Sequence, residues 1–409
     1  MPQIVIVGGG PTGATLALLL VQRGIAVTLI EGAKNFSRSF RGEGLMPSGL
    51  DALKQMGLST LVESIPCRPL DAWEFIFNDQ LLFRVEEPMG AQYPCTLVAQ
   101  PPFLARLMAQ AQSYEHLELI QGTPVKDLIW SNQRVAGVKL ADHREILAEL
   151  VIGADGRGSL IRQRAELALV QQPKPIDLLW FKLAAHPKFM TDNVFCSILK
   201  GDRGFSIFHG AEPGKLHLAW VLSPEETANW QQVNWSEVFA SLAPAWLAEH
   251  FHRVAETIEA PIKLSVVVGH CPRWHRPGVL LLGDAAHPMS PVRAQGINLA
   301  LRDVIVAVNH LVPLFQPEPF LPEARRIEPD SVAIDLALGQ IQVERQPEII
   351  QAQRLQAQEA HQGELLRKNR RVRSLLVQLA PLIRPAIRYR WVKRQGQLRQ
   401  GITSVQLTV

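Results

Sequence analysis

The stretch Ile4-Val5-Ile6-Val7-Gly8-Gly9-Gly10-Pro11-Thr12-Gly13-Ala14-Thr15-Leu16-Ala17-Leu18 decides the reading of the chain. Four β-favouring apolar residues make a short buried strand, the glycines a tight turn, and the run from Ala14 to Arg23 a helix. A second strand, residues 27–30, follows and ends in Glu31. In that context each glycine of Gly8-x-Gly10-x-x-Gly13 has a task. Gly8 permits the turn, Gly10 leaves room for a pyrophosphate, and Gly13 lets helix and strand pack. Pro11 and Thr12 open the helix, whose free N–H groups meet phosphate oxygens. Glu31 accepts from an adenosine ribose and repels a 2′-phosphate, so the tightly bound nucleotide is expected to be FAD or NAD rather than NADP. The competing reading is a glycine-rich turn with no nucleotide.

Two more segments repeat the grammar. Residues 148–152 run into Gly153-Ala154-Asp155-Gly156, and residues 279–282 into Gly283-Asp284. Three such units predict a doubly wound parallel sheet whose carboxyl edge gathers the turns. At a strand end, Asp284 can accept from a polyol such as a ribityl chain, or it can cap a helix. Gly296-Ile297-Asn298 is expected to begin another helix, whose positive end favours negative charge on a nearby ligand.

Between these units the period changes. Residues 178–183, 194–199, 205–208 and 216–222 are short, aromatic or β-branched runs separated by Gly, Pro and Asp, and residues 73–83 read alike around an Asn78-Asp79 turn. From Ser331 the chain reads as helical, after a linker marked by Pro313, Pro317, Pro319, Pro322 and Pro329. The predicted fold is α/β, a Rossmann-like domain with an inserted antiparallel-sheet domain and a helical C-terminal tail. The nucleotide domain is assigned residues 1–70, 99–171 and 271–330, the sheet domain 71–98 and 172–270, and the tail 331–409.

With 409 residues, 47% hydrophobic and 20% charged, the chain is neither disordered nor collagenous. Its most apolar stretch, residues 14–30, is interrupted by Gln22, Arg23 and Gly24, so no transmembrane segment is expected. No basic leader precedes Ile4, which makes a cytoplasmic protein the expectation. Cys67, Cys95, Cys196 and Cys271 are scattered and suggest neither a disulfide framework nor a metal site. Charge is uneven: residues 365–409 hold 11 Lys and Arg and no acid, leaving 31 basic against 38 acidic residues before them. This tail contains Leu375, Leu376, Leu379 and Ile383 in an amphipathic pattern up to Pro381. It can lie on an anionic membrane or pack on the acidic body, and packing is preferred. Aromatic interleaving for nucleic acid is absent, so no nucleic-acid partner is expected.

Gly8 to Gly13 with Glu31, Gly153 to Arg157, and Gly283-Asp284-Ala285-Ala286-His287 with Pro291 and Gln295 to Asn298 together resemble the three fingerprints of the single-component FAD-dependent aromatic hydroxylases, the p-hydroxybenzoate hydroxylase-like family. Residues 177–181 and 274–278 resemble a bacterial branch described as FAD-dependent oxidoreductases or monooxygenases. The resemblance implies non-covalent FAD, transient NADPH or NADH, and oxygen transfer from a flavin C4a-hydroperoxide to an aromatic or quinone-like small molecule. It implies flavin contacts for Arg41, Gln100, Gly296, Ile297 and Asn298, a shared FAD and NAD(P)H role for Asp155 and Gly156, and Pro291 near the reactive edge. Arg41 and Pro291 are its catalytic candidates. The chain departs from the family where Arg293 and Ala294 replace a small or apolar residue and a glycine, so the loop's contact with the flavin is expected to differ.

Phe181, Phe205, His209 and Trp220 are candidate substrate contacts, with Phe195 and Phe208 beside them, although alternation in a sheet predicts core packing equally well. His287 reads as shaping the loop rather than as a base. The leading expectation is an NAD(P)H- and O2-dependent monooxygenase. A reductase or dehydrogenase on the same fold, or a non-catalytic FAD-binding protein, are the alternatives.

Overall fold

The computed structural model describes residues 3–36, 43–172, 176–223, 226, 229–316 and 330–409. Its first sheet has six strands in the order His275–Arg276, Val279–Leu281, Leu150–Gly153, Ile4–Val7, Val27–Glu31, Leu117–Gln121. The three glycine-terminated strands predicted from sequence are adjacent at its centre, with Ile4 paired to Leu150 on one side and Val27 on the other, all parallel. Both faces are covered, which is why these strands read as unbroken apolar runs. Helix Pro11–Val21 is apolar on every side and almost wholly buried. It lies between the sheet, helix Gln100–Gln112 and helix Gln295–Phe315. The last helix is long and apolar enough to cross a membrane, a stretch the sequence reading passed over, and here most of it is buried in the core. Pro313, expected in a linker, sits inside this helix. A three-stranded meander, Val125–Ser131, Arg134–Leu140 and Glu145–Leu147, covers the opposite face.

The second sheet has seven strands in the order Ile262–Val266, Ile176–Ala184, Lys215–Val221, Arg203–His209, Val194–Lys200, Ala72–Phe77, Gln80–Glu86. Its pairings are antiparallel except Val194–Lys200 with Ala72–Phe77, which run parallel because they come from separate pieces of the chain. The Asn78-Asp79 turn closes the edge hairpin with both residues at positive φ, 46° and 65°, as a two-residue hairpin requires. Alternation gives the sheet two faces. One carries Phe181, Phe205, Ile207, Leu218 and Trp220 and packs on helices Trp235–Leu242 and Ala245–Arg253. The other carries Trp180, Phe195, Phe208 and His217 and looks toward the first sheet's carboxyl edge.

Helices Ser331–Lys368 and Arg370–Gln400 complete the chain, the second running on through Pro381 instead of stopping there. The first is locked to helix Gln295–Phe315 by a buried charge network. Arg345 Nε donates to Asp303 (2.8 Å), Arg345 and Arg302 both pair with Glu348, and His287 Nε2 lies 2.7 Å from Asp303 Oδ2. Glu348 also accepts from the Ile402 N–H at 2.8 Å, returning the chain's end to the body. Such a network is tolerable in the core because each charge has partners. The later part of the second helix buries Trp391, Leu398 and Arg399, the last paired with the buried Glu87. Its earlier part is different: Leu379 is 43% and Leu382 79% exposed. The side chains of Leu375 and Leu376 lie outside the described residues.

Candidate active site

The strand ends of the first sheet form the floor of the site. Gly8 has φ 107°, and a Cβ there would stand 2.4 Å from the Ala154 carbonyl oxygen; one on Gly13 would stand 1.9 Å from that of Gly8. Turn, helix and neighbouring strand are therefore in backbone contact that larger residues would force apart. Ahead of Gly10 the space is open, with no other part of the described residues within 4 Å of a Cβ position. Glu31 ends its strand with Oε2 accepting from the Gly9 N–H (2.9 Å) and Oε1 from the Ala33 N–H (2.7 Å). Its carboxylate is thereby fixed at the cavity edge.

Two further carboxyls face the same space. Asp155 Oδ2 accepts from the Ile161 N–H (3.1 Å), whereas its buried Oδ1 has no partner among the described residues. Burial pushes the pKa of both Asp155 and Asp284 up. Two desolvated carboxyls, Asp155 with an unused acceptor oxygen, beside a glycine turn with room for phosphate, suit a ligand rich in hydroxyls and phosphates. FAD fits this donor and acceptor set, as the glycine fingerprint predicts.

A single cavity of about 2740 Å³ runs from this floor to the second sheet. Small-molecule sites span about 300–1,000 Å³, so the space accommodates a dinucleotide and a substrate together. Of the predicted cofactor contacts, Gly8, Gly10, Pro11, Thr12 and Glu31 line it at the nucleotide end, and Asp155, Gly156 and Asp284 farther along. Pro291, Gly296 and Ile297 line it from the loop before helix Gln295–Phe315. Three others lie behind the wall. Gly13 is packed under the turn, and Gln100 is buried at the start of its helix. Asn298 is fully buried, with Oδ1 accepting from the Met46 N–H (2.8 Å) and Nδ2 donating to the carbonyls of Gly44 (3.2 Å) and Ala294 (2.6 Å). It staples two cavity loops together. Arg41 lies outside the described residues.

Of the substrate candidates, Phe205 and Trp220 line the cavity, as do Phe195 and Phe208 beside them, whereas Phe181 and His209 do not. Phe181 is fully buried on the far face of the sheet, edge-on to Phe239 at 5.0 Å. Phe205 and Trp220 belong to the same core and also line the cavity. His209 is buried in a turn, its Nδ1 bonded to the Gly210 carbonyl (2.7 Å) and its Nε2 accepting from the Gly214 N–H (3.2 Å). The aromatic wall is instead a chain of rings on the near face: Trp180 to Phe208 (5.9 Å), Phe208 to Phe195 (5.2 Å), Phe195 to Trp73 (4.8 Å). Trp391 of the C-terminal helix extends it, 6.1 Å from Trp73.

Two charged groups in this wall were not among the predicted site residues. Arg293 and Ala294 both hold left-handed backbone, φ 59° and 49°, at a cost of about 1 kcal/mol or more each for non-glycine residues. Offsetting that strain, the Arg293 guanidinium pairs with Glu359 and lies 5.0 Å from both the Trp73 and the Trp391 rings. The substitution that marks this chain off from the family pattern thus ties the loop to the C-terminal helices. The other group is Glu43, whose Oε2 accepts from the Ala211 N–H (2.9 Å) and whose Oε1 lies 3.7 Å from His217 Nδ1. Its only sequence signal is a carboxylate in the 41–44 loop. No grouping of side chains suited to a metal ion occurs among the described residues.

Comparison with known proteins agrees with this geometry. Residues 1–316 match the family model described as FAD binding domain. The 6-methylpretetramide 4-monooxygenase of Streptomyces rimosus is 30% identical over 322 residues, 75% of this chain and 74% of that protein. The 3-demethoxyubiquinol 3-hydroxylase of Escherichia coli K12 is 28% identical over 338 residues, 76% and 79%. Among solved structures, the p-nitrophenol 4-monooxygenase PnpA of Pseudomonas putida superposes with a TM-score of 0.74 at 16% identity, over 99% of both chains.

Proposed function

The chain belongs to the FAD binding domain family of flavin-dependent monooxygenases, and on that premise we propose that it uses NAD(P)H and O2 to hydroxylate an aromatic or quinone-like small molecule. The observation that carries this reading is the continuity of one cavity from the Gly8–Gly10 cradle to the ring-lined near face of the second sheet. A flat, electron-rich ring can lie against the wall formed by Trp180, Phe208 and Phe195. The substrates named in the two relatives, 6-methylpretetramide and 3-demethoxyubiquinol, support that class.

Bound FAD supplies the redox chemistry, so that NAD(P)H, O2 and a proton become NAD(P)+ and water while one oxygen atom enters the substrate. The protein's own residues bind, orient and exclude water. The open space ahead of Gly10 and the N-terminus of helix Pro11–Val21 would receive the pyrophosphate, and Glu31 the adenosine ribose. Asp155 and Asp284 would accept from hydroxyls along the rest of the cofactor. The loop of Pro291 to Gly296, held by Arg293 and Asn298, lines the cavity and would stand between cofactor and ring. Arg41 and Pro291 remain the catalytic candidates carried from the family pattern. The near face of the sheet supplies the dry, aromatic side of the site.

The test is turnover of a panel of phenols and quinols under 18O-labelled oxygen with NADH or NADPH, after identifying the chromophore released on denaturation. One labelled oxygen per product is expected, together with FAD. Product without label makes the protein a reductase or dehydrogenase. Bound FAD with no turnover makes it a binding protein.

A further inference from the structure

Glu43 stands where the two halves of the cavity meet. On one side, its neighbour Gly44 touches the cofactor loop: a Cβ on Gly44 would lie 3.1 Å from that of Ala294, and the Gly44 carbonyl accepts from Asn298. On the other side, its carboxylate reaches the second sheet, accepting from the Ala211 N–H and facing His217. The side chain is largely buried, 13% exposed, yet lines the cavity. His217 behind it is 4% exposed, wedged between the Trp180 and Phe208 rings, and its Nδ1 has no hydrogen-bond partner among the described residues. A buried carboxyl and a buried, unpartnered imidazole nitrogen, at the junction where a ring would meet the cofactor, are poorly explained as packing.

We propose that Glu43, backed by His217, takes a proton from a hydroxyl of the ring substrate, an assignment that rests on the function proposed above. The substrate O–H bond breaks, a carboxyl O–H bond forms on Glu43, and the electron pair stays on the substrate oxygen, where it enriches the ring for attack on an electrophilic oxygen. No oxidant or reductant takes part in this step. His217 can serve both states of the acid. Its neutral ring offers the Nδ1 lone pair to protonated Glu43 and, as the other tautomer, an N–H to the ionised carboxylate.

The charges around the pair set its range. Burial raises Glu43 to about 6, against the lowering effects of the Ala211 hydrogen bond and of Lys182, with Glu212 adding to the rise. Burial, with Lys182, His209 and Lys215, lowers His217 to about 3, so the imidazole is neutral wherever Glu43 titrates. A carboxyl at about 6 is ionised at neutral pH yet more basic than an ordinary one, as suits a general base.

The experiment uses FAD-loaded enzyme with hydroquinone and 4-nitrophenol as probes. Glu43→Gln is expected to lower kcat on hydroquinone about 100-fold, the ordinary worth of a general base, with KM little changed. The loss on 4-nitrophenol, which ionises near neutral pH without help, should be far smaller. Glu43→Asp should recover part of the rate, and the wild-type rise of kcat around pH 6 should vanish in the Gln variant. Equal losses on both probes, or a rise that persists, overturn the assignment. Infrared difference spectra of the holoenzyme form a second arm. A carboxylic-acid band titrating near 6, absent in Glu43→Gln and shifted by bound 4-nitrophenol, is expected. A wild-type enzyme that hydroxylates neither probe refutes the proposed function, and the band then decides: its presence keeps Glu43 as the cavity's proton-holding group, and its absence overturns it.

Discussion

The two faces of the seven-stranded sheet come from the same strands, alternate residues going to each, yet they are finished in different ways. The far face is covered by helices Trp235–Leu242 and Ala245–Arg253, which lie within the same stretch of chain, and it is an apolar core with Phe181, Ile207 and Leu218 fully buried. The near face mixes rings with Ser197, Ser206, His217 and Lys182. Its edge is sealed from the far end of the sequence, by Trp391 on Trp73, Phe75 and Phe83. A face that borders a cavity keeps polar groups and open volume, and here a separate element closes it.

Removing that element should have the largest effect. Truncation after Gly363 takes away Trp391, leaves Glu87 without Arg399, and strips Glu348 of the Ile402 N–H. Losing one partner of a buried ion pair costs about 3–5 kcal/mol, so the truncated chain should aggregate or lose its cooperative melt, as read by calorimetry. Undiminished stability would show that the tail is an appendage, and salt-sensitive binding of the full chain to anionic vesicles would then assign it to membranes.

The faces themselves are compared next. Phe181→Ala is expected to cost about 3–5 kcal/mol in urea unfolding while leaving KM unchanged. Phe208→Ala, bordering open volume, should cost about half as much or less, because such a site is not left as a closed void, and should raise KM. Similar stability losses would erase the distinction between the faces.

Glu43 offers a subtler contrast, since a base lodged in the near face should weaken the fold. Its pKa is raised from 4.5 to about 6 in the folded protein, so folding disfavours the ionised form. That form appears as pH rises, and stability is therefore full below 4.5 and falls as pH passes through about 6, by about 2 kcal/mol at 1.4 kcal/mol per unit. Glu43→Gln keeps an acceptor for Ala211 and escapes this loss. Its stability relative to wild type should rise between acid and neutral pH in paired urea titrations, while catalysis falls. A pH-independent difference would mean that Glu43 is not buried as described.

The smallest effect is expected at the exposed part of the sealing helix. Leu382, 79% exposed, should tolerate Ser within about 0.5 kcal/mol by thermal melt. A larger loss would mean that something covers it.

The nucleotide floor is legible in the sequence because its constraints are local. Gly8, Gly10 and Gly13 act within one strand, turn and helix, and Glu31 lies one strand further on, so spacing alone reports their geometry. The repeats at Gly153 and Gly283 were legible for the same reason. The near face was not. Alternation shows that Trp180 and Phe181 point to opposite sides but not which side faces the cavity, and that depends on helices that begin only at Trp235. The motif position of Asn298 suggests a cofactor contact, and only the loops of Gly44 and Met46 reveal that its side chain also staples them.

What the sequence determined by itself is the cofactor end: a doubly wound sheet, its three turns on one edge, and a carboxylate at the end of the second strand, all written in short-range patterns. Tertiary structure alone decided which aromatic rings form the wall, that Arg293 reaches Glu359 and Trp391, and that Glu43 meets His217. These partners lie 66, 98 and 174 positions apart, and no local period encodes such distances. Their meeting depends on how the two sheets and the returning C-terminal helices pack, and burial in that packing is what gives Glu43 its altered acidity.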